Sequence, residues 1–361
     1  MHEDKGLRPQ VRYALADTEH GHVWGGCLEV DGLFGEPTRG TYELLGWAGE
    51  GAEARGLLGS RVWLVPQDET AEPWLLEDAE SLGLHPGTDG LVLTGLDDCE
   101  GPPEGYRGVT RVHNEHRRLG SCQEFTRVLP PERAAPPLVL RGLEPSQELR
   151  QLLAKGTRRA LDLGQAALQI RDDQGEPLTE QVVWTRIRTW HPSDQGADLI
   201  DLELDGESFT PVPGHVRPIL ERWFTGPPST SGAWADLDTR RREAWLDLVQ
   251  ERGCRRTGQD RSAHHAYELD GRHITDVPGL YLALGEAVNG PGGYFGGCLD
   301  AVVDCLRGTF GYTAPATLLW RDAATAREFL SHILGPDGQP YDLLAELLGI
   351  LAEGGMQVAL M

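Results

Sequence analysis

The sequence predicts an α/β C-terminal domain preceded by an α+β, largely β-rich N-terminal region. Three observations carry this. Short apolar runs between Gly- and Pro-rich loops dominate residues 1–140. Strands and helices alternate from about residue 264 to the last residue, the pattern of a small parallel sheet with helices packed on it. The polar, Gly-containing run 253–262 (GCRRTGQDRS) separates the two and reads as a linker. The resulting domains are 1–140, 141–254, a linker at 255–263, and 264–361. A chain of 361 residues fits two or three domains. No repeat of fixed period is visible.

Taken in order, 11–17 (VRYALAD) and 22–30 (HVWGGCLEV) read as strands around the turn-rich Thr18–Gly21 stretch. Further strands are expected at 61–66, 90–94, 108–113 and 123–129, with a Gly/Pro-rich loop at 99–106. Residues 145–169 read as a helix: Pro145, Ser146 and Glu148 suit its start, and Leu149, Leu152 and Leu153 recur at helical spacing. Strands follow at 182–189 and 198–204, then helices at 214–223 and about 236–252, the latter opened by Asp236 or Asp238. Past the linker the order is a strand at 266–270, a helix at 277–288, a glycine-rich loop at 289–297 and a helix at 298–307. A strand at 316–320, helices at 324–334 and 341–353, and a strand at 356–361 complete the chain, with Gly354 and Gly355 stopping the last helix.

Composition excludes some roles. With 39% hydrophobic residues and ten tryptophans, the chain can bury a core. Its 56 acidic residues outnumber 33 basic ones for a net −23, the wrong sign for coating nucleic-acid phosphates or an anionic membrane. The charge suits a basic partner or a solvated surface. The N-terminus lacks a signal-peptide pattern and no apolar run reaches the ~20 residues of a membrane span, so a cytoplasmic location is expected. Six cysteines form no CxxC pair, which argues for reduced thiols over a zinc site. Cys298 and Cys305 stand seven apart, roughly 10 Å along a helix, too far to bridge. No metal and no cofactor are expected.

The segment 289–307 is the most informative. Leu299, Val302, Val303 and Leu306 form one apolar helix face. Asp300 and Asp304, four apart, share the opposite edge, where two carboxylates repel by about 0.2–0.5 kcal/mol. Asp304 also lies toward the helix C-terminus, where the dipole disfavours anions. Stability alone would not choose this arrangement, although a solvated acidic face tolerates it. The preceding loop, NGPGGYFGG, exposes backbone around Tyr294 and Phe295. It is not a phosphate cradle, because it lacks the GK[ST] ending and the helix opens with an acid.

Residues 294–306, YFGGCLDAVVDCL, resemble the signature of the barstar family of ribonuclease inhibitors, Y-[YF]-G-x-N-L-D-A-[LV]-x-D-C-L. The element order, Trp320 at the end of the second strand and the AEG turn at 352–354 fit over residues 265–361. The resemblance implies a three-stranded parallel sheet with helices, and a loop and acidic helix that plug a ribonuclease active site. Tyr294, Phe295, Gly296, Cys298, Asp300, Val303 and Asp304 would then touch the partner, with Asp300 and Asp304 standing where substrate phosphates lie and Asp304 as the hot spot. There are departures. The family's Asn after the loop is Cys298, its Trp before the second Asp is Val303, a second Trp is Thr309, and a Glu of the last helix is Gly349. The implied target is therefore a related basic ribonuclease or nuclease toxin domain, bound by an inhibitor of antitoxin or immunity type.

Elsewhere, His113, Asn114, Glu115 and His116 form a compact cluster, but strand alternation places the two histidines on opposite faces, which disfavours a metal. His264 and His265 read as surface residues at the linker edge, and Trp190, His191 and Asp194 as a turn. Residues 1–254 carry no motif for nucleophilic catalysis. The alternative reading is an enzyme of unrecognised type in 1–254, with the C-terminal domain as a protein-binding adaptor.

Overall fold

The computed structural model describes residues 11–18, 22–36, 39–49, 52, 54–68, 72–97, 106–128, 137–155, 161–205, 209–255 and 259–361. Cys99, the rest of the 99–106 loop before Tyr106, residues 19–21 and linker residues 256–258 lie outside them. The chain packs as two units, one from residues 1–37 and 133–228, the other from 38–132 and 229–361.

Twelve main strands precede the C-terminal domain. They are β1 (Tyr13–Asp17), β2 (Val23–Cys27), β3 (Gly40–Leu45), β4 (Gly56–Pro66), β5 (Trp74–Leu84), β6 (Leu91–Asp97), β7 (Arg107–Asn114), β8 (Arg118–Val128), β9 (Leu138–Pro145), β10 (Leu161–Arg171), β11 (Pro177–Pro192) and β12 (Ile200–Leu204). In the first unit, β1–β2–β9 and β10–β11–β12 are antiparallel meanders; β1 pairs β10 and β9 pairs β12, closing a six-stranded barrel. In the second unit the meanders are β4–β5–β6 and β7–β8–β3; β4 pairs β7 and β6 pairs β3, closing another. The two rings have the same cyclic strand order. In the second, the earliest strand, β3, holds the place that the last strand, β12, holds in the first. The second barrel is filled by a buried cluster that includes Tyr42, Leu44, Val62, Leu64, Leu76, Leu93, Val112 and Phe125.

Period-two burial explains the strands. On β11, Val183, Thr185 and Ile187 are buried while Val182, Trp184 and Arg186 between them face out. The expected helix 145–169 is a correction. It begins where predicted, with Ser146 Oγ accepting from Leu149 N at 3.1 Å, but α1 spans only Gln147–Lys155. Residues 161–171 instead form β10, paired on both sides by β1 and β11, with Gly164 at φ +82°. The helical preference of Ala, Leu and Gln is small, and two strand partners override it. Strands β3, β5 and β9 were not expected. On β5 the alternation breaks at a bulge where Asp78 takes φ +51°, which hides the strand pattern. Trp190 and His191 end β11 and do not sit in a turn.

Two helices lead toward the C-terminal domain, α2 (Arg217–Trp223) and α3 (Thr239–Arg255). Asp238 opens α3, its Oδ1 accepting from Arg241 N at 3.0 Å. Residues 253–255, which the sequence places in the polar connector, form the helix's last turn.

The C-terminal domain follows the expected order. Strands β13 (Ala266–Asp270), β14 (Ala316–Arg321) and β15 (Met356–Leu360) form a parallel sheet with β14 in the centre. Helices α4 (Val277–Asn289), α5 (Leu299–Cys305), α6 (Ala323–Leu330) and α7 (Leu343–Glu353) pack around it. Asp276 and Asp342 cap α4 and α7 by accepting from Gly279 N at 2.8 Å and Ala345 N at 2.9 Å. Helix α6 stops short of the predicted 334, because Ile333–Leu334 pairs with Pro340–Tyr341 in a small hairpin around Gly335 and Pro336.

Candidate partner-binding site

The acidic edge sits on a frame fixed from several sides. Helix α4 ends at Asn289, whose Nδ2 donates to Tyr294 O at 2.7 Å and Phe310 O at 2.9 Å. One amide thus pins the glycine loop to the segment after α5. The Glu286 carboxylate accepts from Gly232 N at 2.7 Å and Gly292 N at 3.3 Å, and its burial pushes its pKa up. Phe295 is fully buried, its ring edge-on to Tyr312 at 6.0 Å. Gly296 takes φ +94°, and a Cβ there would lie 2.9 Å from Val302 N, so the loop approaches α5 as only glycine permits.

Helix α5 buries Val302 and Cys305 and exposes Asp300 and Asp304 on its outer edge. Val303 is half-buried. Burial pushes the Cys305 thiol up to about 12, with Cys254 and Asp304 adding to the effect. Cys298 precedes the helix in extended backbone and its side chain makes no capping hydrogen bond. A family Asn there would cap it. Asp304 has a partner already: Arg307 Nη1 donates to its Oδ1 at 2.6 Å, with both side chains mostly exposed. Thr309 is exposed at φ +70°, its N–H donated to Asp260 Oδ2 at 2.9 Å.

The structure brings the predicted residues together but turns two of them inward. Tyr294 and Phe295 were expected to supply contact area, yet Phe295 is 0% and Tyr294 7% exposed. The Tyr294 ring lies against Phe310 at 6.0 Å and against Gly253 in the last turn of α3. Burial pushes its hydroxyl well above the usual tyrosine range.

Helix α3 is the element that sequence reasoning missed at this site. It packs on α4. Its Arg242, buried, donates from Nη1 to Asp276 Oδ2 at 3.0 Å and Thr275 Oγ1 at 2.9 Å, and from Nη2 to Ala235 O at 2.6 Å. The guanidinium also lies over Trp234, 5.2 Å from the ring centroid. Arg240 on the same helix pairs with Asp78 at the β5 bulge. The available signal was weak: an Arg-rich amphipathic segment with a glycine, Gly253, two residues before its end.

Of the remaining candidates, the cluster at 113–116 holds a turn together. His113 is buried at the tip of the β7–β8 hairpin, with Nδ1 3.0 Å from Asn114 O and Nε2 3.4 Å from Pro336 O. Asn114 Oδ1 accepts from His116 N at 2.9 Å and Arg117 N at 2.8 Å, closing the turn. His264 is exposed, and His265 stacks edge-on to Tyr267 at 4.7 Å. Trp190, His191 and Asp194 are exposed. Among the described residues no group of three His, Cys, Asp or Glu is arranged to hold a metal, and no helix is long and apolar enough to cross a membrane.

Residues 264–335 match the family model described as Barstar (barnase inhibitor), and residues 1–263 match no family model. No curated protein matches the chain. The resemblance read from YFGGCLDAVVDCL and the observed sheet agree with that match, so the C-terminal domain is barstar-like.

Proposed function

We propose that the C-terminal domain binds a small basic ribonuclease or nuclease toxin domain and blocks its active site, as an antitoxin or immunity protein acting in the cytoplasm. The observation that carries this is the pair Asp300 and Asp304, exposed on one edge of a seven-residue helix whose opposite face is buried. Two carboxylates at this spacing repel, and the domain offers Asp304 only the exposed pair with Arg307 in return. Against a cleft built to hold phosphates they would replace the substrate's negative charges and meet its cations. The family description supports an inhibitor over an enzyme for this domain. The net charge of −23 would speed encounter with a basic partner and oppose contact with nucleic acid or an anionic membrane.

The test uses the full chain against a small basic ribonuclease encoded beside it. Inhibition should be stoichiometric, and association should slow as salt rises. Asp304→Ala should weaken binding by about 2–5 kcal/mol, a scale set partly by the barnase–barstar complex itself. Asp300→Ala should weaken it less. An Asp304→Ala variant that inhibits as well as the parent sinks this reading.

A further inference from the structure

We propose that Asp260, in the connector ahead of the family match that begins at 264, is a positioning residue of the partner-binding surface, holding the turn after α5 in the shape that flanks Asp304. The proposal rests on the partner reading above. Helix α5 ends at Cys305, and Arg307 reaches back to Asp304, so the turn that follows starts on the acidic edge itself. Within it, Gly308, Thr309 and Gly311 take φ +107°, +70° and +85°. Glycine adopts such angles freely, but a β-branched threonine does not. Thr309 therefore needs an outside hold, and Asp260 supplies it. Its Oδ2 accepts from Thr309 N at 2.9 Å and its Oδ1 from Gly311 N at 3.0 Å. Among the described residues Thr309 has no other hydrogen-bond partner. Asn289 and Tyr267 grip the same turn through carbonyls instead, donating to Phe310 O and Gly311 O, each at 2.9 Å. A Cβ on Gly308 would stand 3.4 Å from Asp260 Oδ2, so the carboxylate lies against the turn from 308 to 311.

The turn borders the surface that a partner would cover. Asp304, Arg307 and Thr309 are all exposed, so a cleft closing over Asp304 meets Gly308 and Thr309 next along the chain. A flank that is fixed before binding loses little freedom on contact, whereas a loose one must be ordered first. Asp260 engages both its oxygens with the backbone of the turn, and its own charge is one among 56 acids. Its effect therefore falls on how long the partner stays and not on how fast it arrives. The connector, which reads from the sequence as a plain spacer, contributes to the site through this one carboxylate.

The test measures association and dissociation rates of the full chain with the same basic ribonuclease, for the parent, Asp260→Ala, Asp260→Asn and the double variant Asp260→Ala/Thr309→Gly. All are read well below each variant's urea midpoint, so that only folded protein is compared. Asp260→Ala should speed dissociation about tenfold and leave association within about twofold of the parent. Asp260→Asn keeps one of the two oxygen acceptors and should fall between; it is nearly isosteric and keeps the test open should Asp260→Ala unfold the domain. Glycine adopts φ +70° without a hold, so the double variant should recover most of the loss. A general loosening of the domain would not be reversed by a glycine. Dissociation at the parental rate in Asp260→Ala overturns the proposal. So does a loss confined to association, which would make Asp260 a steering charge. So does a double variant no better than Asp260→Ala. If the parent does not bind the ribonuclease, the partner reading fails, and amide exchange over 307–311 alone decides whether Asp260 holds the turn: faster exchange in Asp260→Ala supports the hold, and the parental rate overturns it.

Discussion

At the scale of single residues, the site is a contest between groups that stabilise the domain and groups left available. Asp304 is exposed, yet Arg307 three residues on already donates to it at 2.6 Å. An exposed pair of this kind contributes between about 0 and 1 kcal/mol. A partner's buried cation therefore displaces Arg307 at little cost. Arg307→Ala should tighten ribonuclease binding, by no more than about fivefold, and steepen the salt dependence of association; weaker binding would mean that Arg307 itself contacts the partner. Gly296 is constrained differently. At φ +94°, with Val302 N 2.9 Å from a would-be Cβ, alanine is both strained and obstructed. Gly296→Ala should destabilise the domain by about 1–3 kcal/mol from backbone strain alone, read as a lower denaturation midpoint. Both positions were named from the motif. The motif does not reveal that Tyr294 and Phe295 point inward, because their neighbours Gly253 and Tyr312 come from elsewhere in the chain.

At the scale of elements, the C-terminal domain was legible because its signals are local. Asp276 caps α4 where the sequence starts it, Asp342 caps α7, which starts at Leu343, two residues past the expected first residue of that helix, and β13 alternates Tyr267 and Leu269 inward with exposed neighbours. The β-rich region was legible only in part. Residues 161–171 carry helix-favouring Ala, Leu and Gln, and only the pairing partners at 13–17 and 177–192 make them a strand. Helix α3 was found as a helix, but its role depends on contacts far away in sequence. Arg242 is the measure of that role. It and Asp276 are both about nine-tenths buried, and Arg242→Ala would leave the carboxylate without its cation. Removing one member of a buried pair costs about 3–5 kcal/mol. Arg242→Ala should therefore lower the stability of the C-terminal domain by that amount in urea titration. Arg242→Lys should recover only part of it, since an ammonium cannot reach Asp276, Thr275 and Ala235 O together as the guanidinium does. A loss below about 1 kcal/mol would show that α3 does not brace α4.

At the scale of the whole molecule, the two barrels share one cyclic strand order, and no fixed sequence period betrays it. The identity lies in which strands pair, and the earlier strand β3 closing the second ring shifts any repeat out of register. The second unit joins its barrel to the barstar-like domain partly through charge, and that junction should respond to pH. Glu243 on α3 faces Arg61 on β4, with Arg61 Nε 3.6 Å from Glu243 Oε1 and Nη1 3.9 Å from Glu115 Oε1. Glu77, Glu115 and Asp247 add negative charge around this one arginine. Partial burial, reinforced by these acids and opposed by Arg61, pushes Glu243 from 4.5 up to about 7; burial also raises Glu115. A carboxyl with a raised pKa keeps its proton in the folded state when the unfolded chain has released it. Stability from this group is therefore greatest below about pH 4.5, falls as pH rises through the interval to about 7, and levels off above it. Carboxylates held low act in the opposite sense and at lower pH; Asp270, bound by the Arg272 side chain, is one. The urea midpoint should accordingly be higher at pH 5.5 than at pH 8. Glu243→Gln, which keeps the neutral shape at every pH, should flatten the difference. A midpoint that rises toward pH 8, or a slope unchanged by Glu243→Gln, would place the titration elsewhere and leave the α3–barrel contact indifferent to pH.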